Sequence, residues 1–442
     1  MRLPGTRTLM TFMASLLVPL PVVGVLPSDT HSYGPIDHVI VIMQSGHSFD
    51  NYFGTRPGVD GLSLAGCQPV AVGAQGCQKP FHLPSGQARY GLTDTLRVTK
   101  KAIDGGKMDG FITAQPNSII GSVAMGYLDG SDLPYYWSLA DRFTLFDHFY
   151  ASSQAGALPN RLISMAGTDA GTSSNSLSGE ITSPTVFDLL DKAKLPWKYY
   201  LQGYKGPSQA LSPGQVIKAP VLAMPSITAT ADRARIVDTS QYFVDMAKGQ
   251  LPAVSYVSGT VSSERSPQNP AQGMAFVQSL INALMQSPEW RHTALLLTYD
   301  DSGGWYDHSK PPTVGGTTLG IRVPTLLVSP YAKSGYVDSG QLDTASIPAF
   351  IEQVFRLPTL PSQEASSGSV LSAMDLSQPP ISPAIGPAQG AAAVIPRPAV
   401  ATIYLLYLGA LTIAAILILL AFRRYRRQDL PPPTPDAPEV QA

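Results

Sequence analysis

The stretch TALLLTYDDSGG, from Thr293 to Gly304, narrows the fold more than any other part of the sequence. An uncharged, Leu-rich run ends in two adjacent carboxylates, Asp300 and Asp301, and then in a Ser-Gly-Gly turn. Apolar runs this short and this continuous read as strands buried on both faces. IDHVIVIM (Ile36 to Met43) and VPTLLVSP (Val323 to Pro330) are runs of the same kind, and the first is expected to lie in a parallel sheet. Between such runs lie helical patterns such as GMAFVQSLINALMQS (Gly273 to Ser287), where apolar residues recur every three or four positions. Strands alternating with helices predict an α/β sheet with helices on both faces. Ligands of such sheets sit beyond the carboxyl ends of the strands. QSGHSFD (Gln44 to Asp50) and YDDSGG both fall at such ends, so they are expected to lie together.

The chain has 442 residues, 44% hydrophobic and 14% charged, with a net charge of -1. That excludes disorder for the bulk of it and makes nucleic acid a poor partner. Arg2 and Arg7 precede an apolar run from Leu9 to about Leu26, the pattern of a cleaved export signal over residues 1–28. Thr402 to Phe422 carries no charge and is followed by RRYRR, which predicts one transmembrane helix with a cytoplasmic tail at 423–442. The expected organisation is therefore one extracytoplasmic domain over 33–376, a Pro/Ala-rich stalk over 377–401 and a single C-terminal membrane span. The only two cysteines, Cys67 and Cys77, are expected to form a disulfide in an oxidising compartment, and their spacing argues against zinc.

Several blocks together resemble the bacterial phosphoesterase family that contains phospholipases C and an acid phosphatase. The family opening runs approximately HVVVIMQENRSFDxYFGT, and here it is HVIVIMQSGHSFDNYFGT. GGKMDGF (Gly105 to Phe111), YWSLADRFTLFDHFYASSQAGALPNRL (Tyr136 to Leu162) and LPAVSYV (Leu251 to Val257) match in order. So do SPEWRHTALLLTYDDSGGWYDH (Ser287 to His308) and GIRVPTLLVSPYAKSGYVD (Gly320 to Asp338). The resemblance implies an alkaline-phosphatase-like fold. It also implies hydrolysis of phosphate esters by a Ser or Thr nucleophile. A divalent metal held by Glu, Asn and paired Asp would activate that hydroxyl, with histidines serving the leaving group or phosphate.

Carried over residue by residue, the resemblance places the Glu and Asn ligands on Ser45 and Gly46, which cannot ligate a metal as those residues do. The adjacent Arg falls on His47, and Ser48, Phe49 and Asp50 are kept. The nucleophile falls on Ala157, with Ser152 and Ser153 the nearest hydroxyls upstream. Family histidines fall on Asp94, on Arg265 and on Ser339 or Thr344. What is left is Asp300 and Asp301, Asp307 and His308, and His148. Asp300 and Asp301 are read either as weak metal ligands or as caps of the Gly303-Gly304 turn. His308 and Ser153 are candidate catalytic groups, and His47 and His148 candidate contacts to a substrate.

Three functions fit. The first is a degenerate phosphoesterase that binds phosphorylated small molecules or phospholipid headgroups at the membrane. The second is an active hydrolase with a rebuilt site using Asp300, Asp301, His308 and a hydroxyl such as Ser45 or Ser153. The third is a structural surface protein. A divalent metal cofactor is a doubtful fit to this residue set.

Overall fold

The computed structural model describes residues 33–71, 76–83, 88–177, 179–361 and 368–383, with a short helical piece at 408–409, 411–421 and 423. The expected export signal, most of the stalk and the tail beyond 423 lie outside the described residues. Contacts divide the chain into one unit over 1–389 and another over 390–442. In the second unit the described helical residues are exposed and, apart from Thr412 and Arg423, apolar. Among the described residues no helix is long and apolar enough to cross a membrane.

The first unit is built on an eight-stranded sheet. In chain order its strands are β1 (His38–Gln44), β2 (Thr144–Phe146), β3 (Trp197–Leu201), β4 (Ile236–Val237), β5 (Val254–Ser258), β6 (Thr293–Tyr299), β7 (Thr325–Val328) and β8 (Val337–Asp338). Their spatial order is β8-β2-β7-β6-β1-β5-β3-β4. The central strands β6, β1, β5 and β3 are parallel neighbours, as expected for β1. The strand read from Val323–Pro330 is different: β7 runs antiparallel to β6 and to β2, so the sheet is mixed.

Every residue of β5 and β6 is buried, so both faces of the sheet are covered. The helices form two packed groups. One contains α2 (Pro134–Arg142), α6 (Ser240–Ala247) and α7 (Pro270–Gln286). The other contains α3 (Ala157–Ala166), α4 (Val186–Ala193), α5 (Pro213–Lys218) and α8 (Ser346–Phe355). Helix α7 begins three residues before the apolar pattern because Asn269 caps it, accepting from the Ala271 N–H, and Pro270 presets the first turn. Its buried Met274, Val277, Ile281, Leu284 and Met285 keep the three-and-four spacing.

Cys67 and Cys77 form a disulfide. Beyond residue 376 the chain still bonds to the domain: Ile381 O accepts from Trp290 Nε1 at 3.1 Å, and Ser382 O accepts from Arg142.

Candidate functional site

The register of β1 against β6 pairs Gln44 with Tyr299, which brings the two polar turns side by side. Asp300 N donates to Gln44 O at 3.1 Å and His47 N donates to Asp301 O at 3.1 Å. The turns approach so closely that a Cβ on Gly303 would lie 2.2 Å from Gly46 O, and Gly303 has a φ of +62°. Only glycine fits there. Thus QSGHSFD and YDDSGG meet, as the strand ends imply.

Asp300 is fully buried and its Oδ2 is crowded. Ser45 Oγ donates to it at 2.5 Å, Arg161 Nε donates at 2.7 Å, and Lys218 Nζ lies 3.8 Å away. Lys218 Nζ also bonds Ser45 Oγ. Burial alone would raise the Asp300 carboxyl, but Arg161, Lys218 and the Ser45 hydrogen bond hold it below its usual value. Its other oxygen, Oδ1, is buried without a hydrogen-bond partner.

Arg161 joins four parts of the fold. Beyond Asp300, its Nη1 donates to Ser258 Oγ (2.8 Å) and Lys218 O (3.0 Å), and its Nη2 to Met43 O (2.9 Å). A guanidinium buried to this depth is stable only when its donors are matched in this way. It lies in LPNRL on α3, and Ala157 is four residues earlier. Residues four apart share a helix face, so Ala157 stands one turn from Arg161 at the buried N-terminus of α3. The position to which the resemblance assigns a hydroxyl is thus a buried methyl group at the start of α3.

Asp301 is paired with Arg265, whose Nη1 donates to both of its oxygens at 3.2 Å; Arg265 Nη2 also bonds Asp94. Asp301 Oδ1 in addition accepts from Gly303 N at 2.9 Å, which is the turn cap the sequence suggests. Burial and the adjacent Asp94 carboxylate push Asp301 well above its usual value against the pull of Arg265. Burial also lowers the Lys218 ammonium, to about 7, with Asp300 opposing and Arg161 and Arg265 reinforcing the shift.

His47 is buried, with its ring nitrogens 2.6 Å from Asn51 Oδ1 and 2.9 Å from Glu264 O. It packs against Tyr52 and Trp305. Both nitrogens face internal oxygens, so the ring is spent on the fold and does not open toward a ligand. Burial lowers it to about 4, although a neutral ring can donate to only one of those two acceptors. Behind it the Glu264 carboxylate accepts from the hydroxyls of Tyr52, Tyr136 and Tyr299 at 2.5–2.7 Å. Burial raises that carboxyl to about 7 in spite of the three donors.

His308 belongs to a second cluster. Its Nδ1 is 2.7 Å from Asp50 Oδ2 and its Nε2 is 3.1 Å from Asp60 Oδ1. His148 Nε2 reaches the other Asp60 oxygen at 2.9 Å. Arg322, fully buried, donates through Nε to Asp307 at 2.9 Å and through Nη2 to Asp50 at 3.0 Å. The Asp50 carboxylate raises His308 to about 9, against the opposing effect of burial. The two histidines meet on Asp60, apart from the Asp300 and Asp301 hydrogen bonds described above. Ser153 is elsewhere again: its N donates to Asn160 Oδ1 at 2.8 Å, its Oγ accepts from Ala155 N at 3.2 Å, and it lines a cavity of about 880 Å³.

Two sets of side chains among the described residues bring three ligand atoms close enough for one metal ion: Asp50, Asp307 and His308, and the more exposed His82, Asp129 and Asp132. Asp300 and Asp301 are in neither. In the first set the Arg322 guanidinium already bridges the two carboxylates. At Asp300 and Asp301, one unpartnered oxygen faces a need for about six, and three cationic side chains surround it. A divalent ion does not fit either position well.

Sequence reasoning missed Arg161, Lys218 and Glu264. Arg161 sits inside a matched block and its apolar surroundings were the available signal, since a lone charge on a buried helix face needs a partner. Lys218 ends a short helix with no motif around it.

The chain matches the Phosphoesterase family over residues 36–358 and belongs to that family. Its hydrolase-type frame is phospholipase C-like. It is 27% identical over 413 residues to the non-hemolytic phospholipase C of Pseudomonas aeruginosa, covering 78% of this chain and 58% of that protein. Phospholipase C A of Mycobacterium tuberculosis is 27% identical over 422 residues, covering 78% of each chain. Non-specific phospholipase C1 of Arabidopsis thaliana is 27% identical over 374 residues, covering 73% of this chain and 68% of its own. A solved protein of the alkaline phosphatase superfamily from Vibrio parahaemolyticus aligns over 75% of this chain and 70% of its own at 10% identity, with a TM-score of 0.41, too distant to inform the site.

Proposed function

We propose that this protein is a membrane-anchored, extracytoplasmic member of the Phosphoesterase family that binds phosphate-bearing ligands, free or as lipid headgroups, without running the family reaction at the inherited centre. The observation that carries this is Ala157. A methyl group stands at the buried helix start where the family pattern puts the attacking hydroxyl, one turn from the arginine that holds Asp300. Losing a nucleophile alone costs orders of magnitude in rate.

Binding is supported by the 880 Å³ cavity. Lys100 and Lys310 line it and have no acidic partner among the described residues, and Ser152, Ser153 and Ser173 add hydroxyls. Anchoring is supported by the uncharged run from Thr402 to Phe422 and by the exposed apolar side chains of Leu411, Ile416 and Leu419. Arg423 to Arg427 orient that span with the tail inside and the domain outside.

A rebuilt hydrolase is the second reading. Ser45 supports it, because its hydroxyl touches both Lys218 and Asp300. Against it, Ser45 is fully buried and its proton is committed to the carboxylate. The full chain in detergent, assayed on p-nitrophenyl phosphate, its bis ester and phosphatidylcholine with Ca2+, Mg2+, Mn2+ and Zn2+, separates the two. The account expects no turnover above background and protection from heat by phosphate esters. Turnover abolished by Asp300→Ala or Ser45→Ala would establish the rebuilt enzyme.

A further inference from the structure

We infer that the side-chain cations of Lys218 and Arg265 have taken over the charge-balancing role of a metal ion at Asp300 and Asp301, and that Gly46 is the cavity that admits Arg265. This deepens the reading above and rests on it for the family relationship.

Three carboxylates meet here, Asp94, Asp300 and Asp301, and three cations face them, Arg161, Lys218 and Arg265. Each carboxylate is hydrogen-bonded or ion-paired to at least one of the cations, so each has a cationic partner within the protein. Arg161 and Lys218 flank Asp300, while Arg265 bridges Asp94 and Asp301. Buried carboxylates left without such partners would be strongly destabilising.

The steric record at position 46 is independent of the charges. Gly46 has a φ of +74°, and a Cβ built on it would lie 2.9 Å from Arg265 Cγ and 3.3 Å from Arg265 Cβ. The Arg265 stem fills the space that any side chain at 46 would use. An asparagine there and an arginine at 265 exclude each other. The two departures from the family pattern are therefore one change: a residue without a side chain makes room for a guanidinium that pairs with Asp301. Ser45 makes the matching change on the other carboxylate. Its short hydroxyl lies between Lys218 and Asp300 and bonds to both, where an acid would set a second carboxylate against Asp300.

The test uses the full chain in detergent and reads thermal unfolding and bound metal, not turnover. Purified protein is expected to carry no stoichiometric Ca2+, Mg2+, Mn2+ or Zn2+, and its Tm is expected to stay within about 1 °C on adding EDTA or any of these ions. Lys218→Met and Arg265→Met each uncover a carboxylate, and each is expected to lower Tm and to regain more than about 2 °C with a divalent ion. Gly46→Ala is expected to destabilise the wild type clearly more than it destabilises Arg265→Ala, because the strain of positive φ is common to both backgrounds and only the clash differs. If the Arg265 variants fail to fold, Lys218→Met carries the metal arm alone. One equivalent of metal on the wild type, lost in Asp300→Asn, would overturn the inference. So would equal costs of Gly46→Ala in the two backgrounds. Metal binding without turnover would sink this inference and leave the proposed function standing; metal-free turnover would do the reverse.

Discussion

Two clusters in this molecule bury carboxylates against a guanidinium, and they differ in what surrounds the pair. Around Arg322, the partners Asp50, Asp307 and His308 all come from blocks that match the family pattern, SFD, YDH and GIR. Around Asp300 and Asp301 the strand and turn match, but the resemblance implies other residues at Ser45, Gly46, Asp94 and Arg265. The first cluster ties the start of α1 (Phe49–Phe53) to the loop after β6 and to the turn before β7. That is a structural role. The second sits at the strand ends where ligands bind in such sheets, and on the function proposed here its residues have been exchanged as a set. On that proposal, fold-holding and reaction-running charges are told apart by whether the surrounding partners changed together.

The comparison can be broken most forcefully at Arg322. Arg322→Ala should cost about 3–5 kcal/mol by leaving Asp50 and Asp307 buried without a cation, read as a large fall in the urea midpoint. Arg265→Ala should cost less, about 1–3 kcal/mol, because Arg265 is 28% exposed and Asp301 can take up a proton. Equal losses would mean that the two clusters are not different in kind.

His308 sharpens the contrast through pH. Its folded value is raised from 6.5 to about 9 by Asp50, so its contribution is complete below 6.5 and is lost as pH rises through 9. The stabilisation at stake is on the order of 2–3 kcal/mol. His308→Asn should flatten the decline in stability between those limits, and an unchanged slope would show that another group sets it. The smallest effect should come from Ala157→Ser. Adding a hydroxyl alone should leave hydrolysis of bis-p-nitrophenyl phosphate at background and stability within about 0.5 kcal/mol, because no metal is positioned to activate it. Substantial rescue would contradict the assignment of the second cluster.

The parallel core of the sheet, the meeting of QSGHSFD with YDDSGG and the helix at Pro270–Gln286 were legible because each follows from a local period or a strand end. The reversed direction of β7 was not, since an apolar run of four to eight residues looks the same in either orientation once both faces are covered. That Ser45, Gly46 and Ala157 lack the ligand and nucleophile groups the resemblance implies could be read directly. What filled the space could not. Lys218 lies 173 residues from Ser45, and only the packing of α5 against α3 brings it there. His47 and His308 read as chemistry in the sequence because histidine so often is; their neighbours in space, Glu264 and Asp50, turn both into parts of the frame.

The central claim, that protein cations have replaced an ion at Asp300 and Asp301, is tested most directly by titrating the full chain with Mn2+ and following free Mn2+ by electron paramagnetic resonance. The account predicts that the free signal rises in proportion to added metal in the wild type, and that Lys218→Met removes part of it at equal protein concentration. Saturable binding of one Mn2+ per wild-type chain, abolished by Asp300→Asn, would contradict it.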